Sequence, residues 1–230
     1  MGEEFGFETP TLTICSNACE GGLNMDVMML DREAAAPKVC GVVRAYPSIW
    51  RGTVVDIGCR TRDLEKALAL EGHEARYIGV DLDPKAEVVA DLGKRLPLED
   101  KSADVITALD VLEHTDDIHH AFSELCRVAR GHIVITLPNC YEVRIRVRHL
   151  RGKPISGKYG LPTQRPNDRH RWFFSLDEAR TFVGEVSHEN GWKVADERAL
   201  AGSRGELIRS AVHRWPNLLS PTYMALLQPV

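Results

Sequence analysis

No stretch of the 230 residues approaches the roughly 20 consecutive apolar residues that a membrane-spanning helix needs. The six cysteines are scattered along the chain, which is too sparse for a disulfide framework at this length. The first residues have neither the basic start nor the apolar stretch of a signal peptide. With 43% hydrophobic residues, the composition also excludes collagen-like and disordered chains, so we expect a soluble, cytoplasmic protein with reduced cysteines.

A strong overall charge is missing as well. The net charge of −4 gives no general attraction to nucleic acid or to an anionic membrane. Residues 143–171 depart from this average, because they hold nine Lys or Arg residues against one acid, Asp168. We interpret this segment as a lid that recognises an anionic acceptor. Two alternatives stay open: a solvated surface, or a contact with the acidic remainder of a second subunit in a homodimer.

The pattern along the chain predicts one α/β domain. Residues 1–30 are Gly-rich and predict an irregular N-terminal arm, whereas 31–230 predict a single domain that begins with a helix over 31–45. Short β-branched runs then alternate with helical stretches, which is typical of a parallel sheet with helices on both faces. The predicted strands are 53–58, 76–81, 87–91, 104–109, 132–137, 192–200 and 223–228, and the other predicted helices are 63–70, 118–129, 176–189 and 206–214. The sequence therefore predicts a seven-stranded, mostly parallel sheet with a basic insertion, about 141–172, after the fifth strand.

Acidic residues mark the ends of the first four predicted strands. Asp56 and Gly58 stand in the turn after the first strand, and Asp81 ends the second. Asp91 and Asp110 follow the third and fourth strands. Open α/β sheets bind ligands at the carboxyl ends of their strands, and an acid at the end of the second strand suits the two hydroxyls of a ribose.

This succession of acids resembles the class I S-adenosylmethionine-dependent methyltransferases, particularly the small-molecule, type 11-like group. The Asp-x-Leu-x-His pattern of residues 110–114, the helix up to Arg130, the strand ending in Leu137-Pro138-Asn139 and the late antiparallel strand fit the same family. The resemblance covers about residues 40–140. It implies a Rossmann-like fold, S-adenosylmethionine as cofactor and methyl transfer as the activity.

The resemblance also implies a cofactor role for each strand-end residue. The turn residues would border the methionine end, Asp81 would hold the ribose, and Leu82 would pack on the adenine. Asp91 and Leu92 would meet the adenine edge, and Leu109 and Asp110 would line the cofactor near its sulfonium. The full implied set is Asp56, Gly58, Cys59, Arg60, Asp81, Leu82, Asp91, Leu92, Leu109 and Asp110.

The turn departs from the family in one respect. Family members usually read Gly-x-Gly-x-Gly there, whereas Arg60 and Arg62 occupy the second and third positions of this chain. An arginine at either place could crowd the cofactor, or could pair with its carboxylate. This departure keeps a non-catalytic, cofactor-binding partner subunit open as an alternative function.

Residues after the fourth and fifth strands are the candidates for the acceptor side. His114 is the candidate base, because an imidazole titrates near neutral pH. Tyr141, Arg144 and His170 of the basic insertion are candidates for binding the acceptor, and we expect Glu113 only to favour a helix start. No metal is predicted, because Cys15-x3-Cys19 has no second pair of ligands nearby.

The sequence therefore predicts methyl transfer to oxygen or nitrogen of a small-molecule or glycan-like acceptor, with an anionic acceptor as one option. A second enzymatic alternative is an RNA methyltransferase that uses the basic insertion on the RNA backbone. The overall acidity, and the absence of a recognisable RNA-binding appendage, argue against nucleic acid as the substrate.

Overall fold

One mixed sheet of eight strands runs through the protein in a computed structural model that describes residues 25–155, 158–161, 163, 164, 166, 168–202 and 206–230. Its strands lie in the order β1-β7-β8-β6-β5-β2-β3-β4. Their bounds are β1 Asp26–Leu30, β2 Thr53–Ile57, β3 Arg76–Asp81, β4 Val88–Val89, β5 Ala103–Leu109, β6 Ala129–Pro138, β7 Trp192–Gly202 and β8 Thr222–Pro229.

Strand β8 is antiparallel to both of its neighbours, and the other strand pairs are parallel. It lies between β6 and β7, with Ala225 opposite Ile135 on one side and Glu197 on the other. The predicted antiparallel late strand beside the strand at Trp192 is therefore confirmed. All the parallel strands end at one edge of the sheet, which we call the carboxyl edge.

Helices cover both faces of the sheet. The α-helices are α1 Pro37–Ala45, α2 Asp63–Leu70, α3 Ile118–Val128, α4 Val143–Leu150, α5 Leu176–Glu189, α6 Glu206–Arg214 and α7 Pro216–Leu219. One hydrophobic cluster packs α3 and α5 on the sheet, and a second packs α1 and α2 on the opposite face. Strand β2 contributes to both, with Val55 in the first cluster and Val54 in the second. Among the described residues, no helix is long and apolar enough to cross a membrane.

The predicted α/β class is confirmed, but the strand count and several boundaries differ. The prediction of seven strands was wrong by one, since residues 26–30 of the expected irregular arm pair in parallel with the edge strand β7. The first helix begins at Pro37 rather than Asp31, because proline suits a first helical position and disfavours helix in the residue before it. Strand β4 is limited to Val88–Val89. Residues 1–24, including Cys15 and Cys19, lie outside the described residues.

The basic insertion forms a helix where it leaves the sheet. Helix α4 buries none of its residues, and its alternating arginines are therefore spread around an exposed surface rather than aligned on one face. The chain returns to the sheet at α5. Ser175 and Glu178 form the predicted capping box there, with both reciprocal hydrogen bonds present.

A buried carboxylate ties the three central strands together. Asp56 of β2 accepts hydrogen bonds from the Tyr77 hydroxyl of β3 at 2.8 Å and the Thr107 hydroxyl of β5 at 2.6 Å. Only 5% of its surface is exposed, and this burial raises its pKa from the ordinary 3.8 to about 6. The two hydroxyls act in the opposite direction, because they favour the charged form.

The raised pKa makes stability depend on pH in a defined direction. Because the folded protein disfavours the Asp56 charge, the contribution of this group is fully present below pH 4 and is lost as the pH rises through 6. Relative to Asp56→Asn, we expect the wild-type free energy of unfolding to fall by about 2 kcal/mol between pH 4 and pH 7. Urea unfolding of both proteins at pH 4, 5, 6 and 7 measures the difference, and a constant difference would contradict the assignment.

Candidate active site

The turn between β2 and α2 is held against the end of β3. The amides of Gly58 and Cys59 donate to the Val80 carbonyl at 2.8 and 3.3 Å. Gly58 has a φ of +77°, and a Cβ at this position would lie only 2.5 Å from Cγ2 of Val111. Glycine adopts this left-handed conformation without strain and avoids a collision with the Val111 side chain. We call this turn, in which a side chain at position 58 would force Val111 or the backbone to move, the Gly58 cradle.

Asp81 lies beside this turn at the carboxyl edge. Its carboxylate accepts from the backbone amides of Arg60 at 3.1 Å and Asp83 at 2.9 Å. A carboxylate offers about four acceptor positions, so these two bonds orient the group and leave capacity for further donors. The next residue, Leu82, has 70% of its surface exposed and provides an apolar surface at the same strand end. The structure thus brings Gly58, Arg60, Asp81 and Leu82 together.

The other residues predicted to contact the cofactor make contacts within the protein itself. Leu92 is buried in the core, and Leu109 packs on the opposite cluster. The Asp91 carboxylate accepts from the Gly93 amide at 2.9 Å, which shapes the loop after β4. Burial raises the pKa of the Cys59 thiol to about 11, so the thiol stays protonated and unreactive at neutral pH. Asp56 is engaged by Tyr77 and Thr107, as described above.

The two arginines in the turn have different surroundings. The Arg62 guanidinium pairs with Glu65 at 2.7 Å and with Glu87, and it lies over the Tyr77 ring. Its backbone is left-handed, with a φ of 52°, which explains why a glycine suits this third position in the family. Arg60 is exposed and contributes its backbone amide to Asp81. The Arg62 side chain is therefore directed to α2 and the loop before β4 rather than across the turn.

Asp110 ends β5 in a left-handed conformation, with a φ of 56°. Its carboxylate accepts from the Thr136 hydroxyl at 2.8 Å and forms an ion pair with Lys38 of α1. Aspartate tolerates this backbone conformation better than most residues do. The chain then turns directly into the short 3-10 helix Leu112–His114.

Three ionisable side chains converge next to Asp110. Glu113 of the 3-10 helix is fully buried, and its Oε1 lies 3.8 Å from Nε2 of His114 and 3.8 Å from Nε2 of His170. The two imidazole rings meet edge to face with centroids 4.6 Å apart. We call these residues the Glu113 cluster. The sequence predicted both histidines as site residues but missed Glu113, for which it expected only a favourable interaction with a helix start.

Burial controls the protonation of the Glu113 cluster. Burial raises the pKa of Glu113, and the nearby Asp110 charge raises it further. Burial also lowers the pKa of His114, and it lowers that of His170 to about 4. Both imidazoles are therefore neutral at pH 7, with lone pairs available to accept a proton or bind a cation.

The returning limb of the basic insertion, residues 168–175, closes over the 3-10 helix. The Arg171 amide donates to the Glu113 carbonyl at 2.8 Å, and the Trp172 indole donates to the Thr115 carbonyl at the same distance. The Arg171 guanidinium pairs with Asp116. These bonds place His170 against Glu113, although the two residues are far apart in sequence. Nothing in the local sequence of Glu113 marks this contact.

Two residues predicted to bind the acceptor lie outside the Glu113 cluster. Tyr141 is exposed and packs on Phe173, with ring centroids 5.2 Å apart. The Arg144 guanidinium pairs with the Glu142 carboxylate at 2.8 Å. Of the predicted acceptor-side residues, only His114 and His170 are brought together.

Comparison with known proteins identifies the family. A family profile described as a methyltransferase domain matches residues 33–194. No curated protein matches the chain.

Several solved structures share the fold. The chain is 18% identical to a chain in the complex of the Haloferax volcanii Trm112 methyltransferase activator with a putative methyltransferase, with a TM-score of 0.56 and 82% and 88% of the two chains covered. The small RNA methyltransferase HEN1 is 15% identical with a TM-score of 0.57, and the match covers 89% of this chain but 27% of that one. Magnesium protoporphyrin IX methyltransferase from Synechocystis PCC 6803, solved with bound S-adenosylhomocysteine, is 17% identical with a TM-score of 0.51 over 84% and 80% of the chains.

The profile match covers most of the chain and spans the glycine turn, the acidic strand ends and the whole Glu113 cluster. The structural neighbours carry the same mixed sheet. The family and cofactor implied by the strand-end acids are therefore confirmed: the chain belongs to the class I S-adenosylmethionine-dependent methyltransferases.

Proposed function

We propose that this enzyme methylates an oxygen or nitrogen atom of a small-molecule or glycan-like acceptor that carries an anionic group. The observation that carries the proposal is the position of the Glu113 cluster. It lies at the carboxyl edge, directly after Asp110, and is covered by the returning limb of a basic insertion. This arrangement places proton-accepting groups and positive charge at the strand end next to the cofactor turn.

The residues at the carboxyl edge fit S-adenosylmethionine. Gly58 is exposed and has no side chain to cover the backbone of the turn, the Asp81 carboxylate has acceptor capacity for ribose hydroxyls, and exposed Leu82 offers a surface for the adenine. When bound, the cofactor supplies an electrophilic methyl group on a positively charged sulfur. The protein holds the acceptor close to it and excludes water. Cofactor contacts by Asp56, Cys59, Asp91, Leu92 and Leu109 stay predictions.

The Glu113 cluster is suited to take a proton from the acceptor. Asp168 lies 2.8 Å from Nδ1 of His114, which holds the ring in one orientation and leaves Nε2 on the inner side, toward Glu113. A hydroxyl or amine loses its proton more readily as a neutral imidazole accepts it. Within the cluster we assign this proton transfer to His114, the base predicted from the sequence.

The basic insertion supplies the positive charge for an anionic acceptor. On α4, Arg144, Arg146 and Arg148 are exposed to solvent. Guanidinium groups bind carboxylates and phosphates through paired hydrogen bonds. We propose that Tyr141 and Arg144 contact the acceptor from this surface.

The same exposed arginines favour RNA as a second candidate acceptor, and one structural neighbour is a small RNA methyltransferase. Another structural neighbour comes from a complex that contains a methyltransferase activator, so a partner protein is a further candidate for binding.

An incubation with radiolabelled S-adenosylmethionine distinguishes a small-molecule acceptor from RNA. We expect methyl transfer to phosphorylated or carboxylated sugars and other small metabolites. Methylation of RNA alone, with binding that weakens steeply as salt rises, would overturn the small-molecule proposal.

Cofactor binding tests the role of Asp81. Asp81→Asn keeps the shape of the side chain and removes its charge, so we expect S-adenosylhomocysteine to bind about 10- to 100-fold more weakly in calorimetric titration. Arg62→Gly is the matched control, because its guanidinium is directed to Glu65 and Glu87. We expect this control to change the affinity by less than about 2-fold. Equal binding by Asp81→Asn and wild type would exclude the assigned ribose contact.

The Gly58 cradle is tested by a pair of glycine substitutions. Gly58 and Gly191 have nearly the same positive φ, +77° and +76°, but only a Cβ at Gly58 would meet another residue. Each alanine variant is expected to lose about 1–2 kcal/mol of stability from backbone strain. Only Gly58→Ala is expected to weaken S-adenosylhomocysteine binding, by about 10-fold or more, since its methyl group alone collides with Val111 and displaces the turn. If both variants lost affinity to a similar extent, the loss would come from backbone strain, and the assigned role of the Gly58 cradle would be wrong.

A further inference from the structure

The Glu113 cluster leaves buried polar atoms without hydrogen-bond partners. Both carboxylate oxygens of Glu113 lack one, and so does Nε2 of His170. The Glu113 side chain is fully buried, and the His170 side chain is 10% exposed. An unpartnered carboxylate in the interior costs considerable free energy, because it has lost its water without gaining a donor. Two changes relieve this cost: protonation of Glu113, or a cation bound to its oxygens.

The outer nitrogens of both imidazoles are already engaged. Nδ1 of His114 lies 2.8 Å from Asp168, and Nδ1 of His170 lies 2.7 Å from the Tyr159 hydroxyl. Hydrogen bonds at Nδ1 fix the orientation of each ring and leave Nε2 for the inner side. Histidines that bind metals are held in the same way by an oxygen at the other ring nitrogen.

We propose that Glu113, His114 and His170 bind one divalent first-row transition-metal ion. The ligands are a carboxylate oxygen of Glu113 and Nε2 of each histidine. The three ligand atoms lie within 4.8 Å of one another. A cation about 2.0–2.2 Å from each donor requires them to be roughly 3–4 Å apart, so a small inward shift of the side chains completes the site. Two imidazoles with one carboxylate favour ions such as zinc, cobalt or iron over magnesium or calcium.

The surrounding charges agree with a cation at this place. Asp110 and Asp168 lie next to the cluster, and their charges act on both histidines. Lys38 is paired with Asp110 and Lys158 with Asp168, so each of these ammonium groups is directed to another carboxylate. Of the described side chains, those paired with Glu113 are the two imidazoles, which are neutral at pH 7. A metal ion would provide the positive charge that they lack.

The role of the ion follows from its position and rests on the proposed function. Three protein ligands leave at least one coordination position open. An acceptor hydroxyl bound there would lose its proton more easily, because a divalent cation lowers the pKa of a coordinated oxygen. The proton would pass to the carboxylate oxygen of Glu113 that does not bind the ion. With Nε2 of His114 occupied by the ion, the cation would replace His114 as the group that promotes deprotonation.

Metal binding can be measured without cofactor or acceptor. The full chain is treated with a chelator, dialysed and titrated with Zn²⁺ in a calorimeter, and with Co²⁺ while its visible absorption is recorded. We expect one ion per chain and cobalt absorption bands typical of nitrogen and oxygen ligands. Glu113→Gln and His170→Ala are expected to weaken binding about 100-fold or more. His188→Ala, which removes an exposed histidine at the end of α5, is the matched control and should bind as wild type does.

A more conservative variant covers the case in which the ligand variants do not fold. Asp168→Asn keeps the shape of the residue that orients His114, and it is expected to lower the affinity about 10- to 100-fold while the circular dichroism spectrum is unchanged. Absence of binding by the wild-type chain would overturn the proposal. So would one ion that binds equally well to folded Glu113→Gln and to wild type. Neither result bears on cofactor binding, which the Asp81 and Arg62 variants test separately.

Discussion

The carboxylate of Asp56 joins the three strands on which the proposed cofactor site is built. Strand β2 provides the carboxylate, and β3 and β5 each provide one hydroxyl to it. These hydrogen bonds lie just before the carboxyl edge, so they fix the relative positions of the Gly58 turn, Asp81 and Asp110. The raised pKa shows that burying this carboxylate costs free energy despite its two partners. The site therefore depends on a polar contact that an apolar side chain could not supply.

The acceptor side is built by a different kind of contact. Residues 168–172 bond to the backbone of the 3-10 helix and its neighbours, and so bury Glu113 under His170. Sheet strands position the residues proposed for the cofactor, whereas a loop limb positions those proposed for the acceptor. Loops tolerate changes in length and sequence better than strands do. This division allows one fold to keep its cofactor while its acceptor changes.

The sequence predicted the features that depend on local pattern. Apolar β-branched runs identified the parallel strands, and the serine and glutamate of the capping box identified the start of α5. It did not predict β1, because five residues at a sheet edge have a weak pattern and pair with a strand formed much later in the chain. It also missed the burial of Glu113, which depends on residues more than 50 positions away. The sequence left open whether the two arginines in the turn crowd the cofactor or pair with its carboxylate, whereas the structure directs the Arg62 side chain to Glu65 and Glu87.

The antiparallel strand β8 also constrains the order in which the strands of the sheet can assemble. It lies between β6 and β7, so the pair formed by β1 and β7 has no strand contact with the central sheet until β8 is in place. During synthesis the edge of β6 is exposed with unpaired backbone groups, although all the cofactor strands have already been made. Such an edge can pair with other chains. Ribosomes that stall before residue 222 would therefore release a chain with an aggregation-prone sheet edge, even though its cofactor strands are complete.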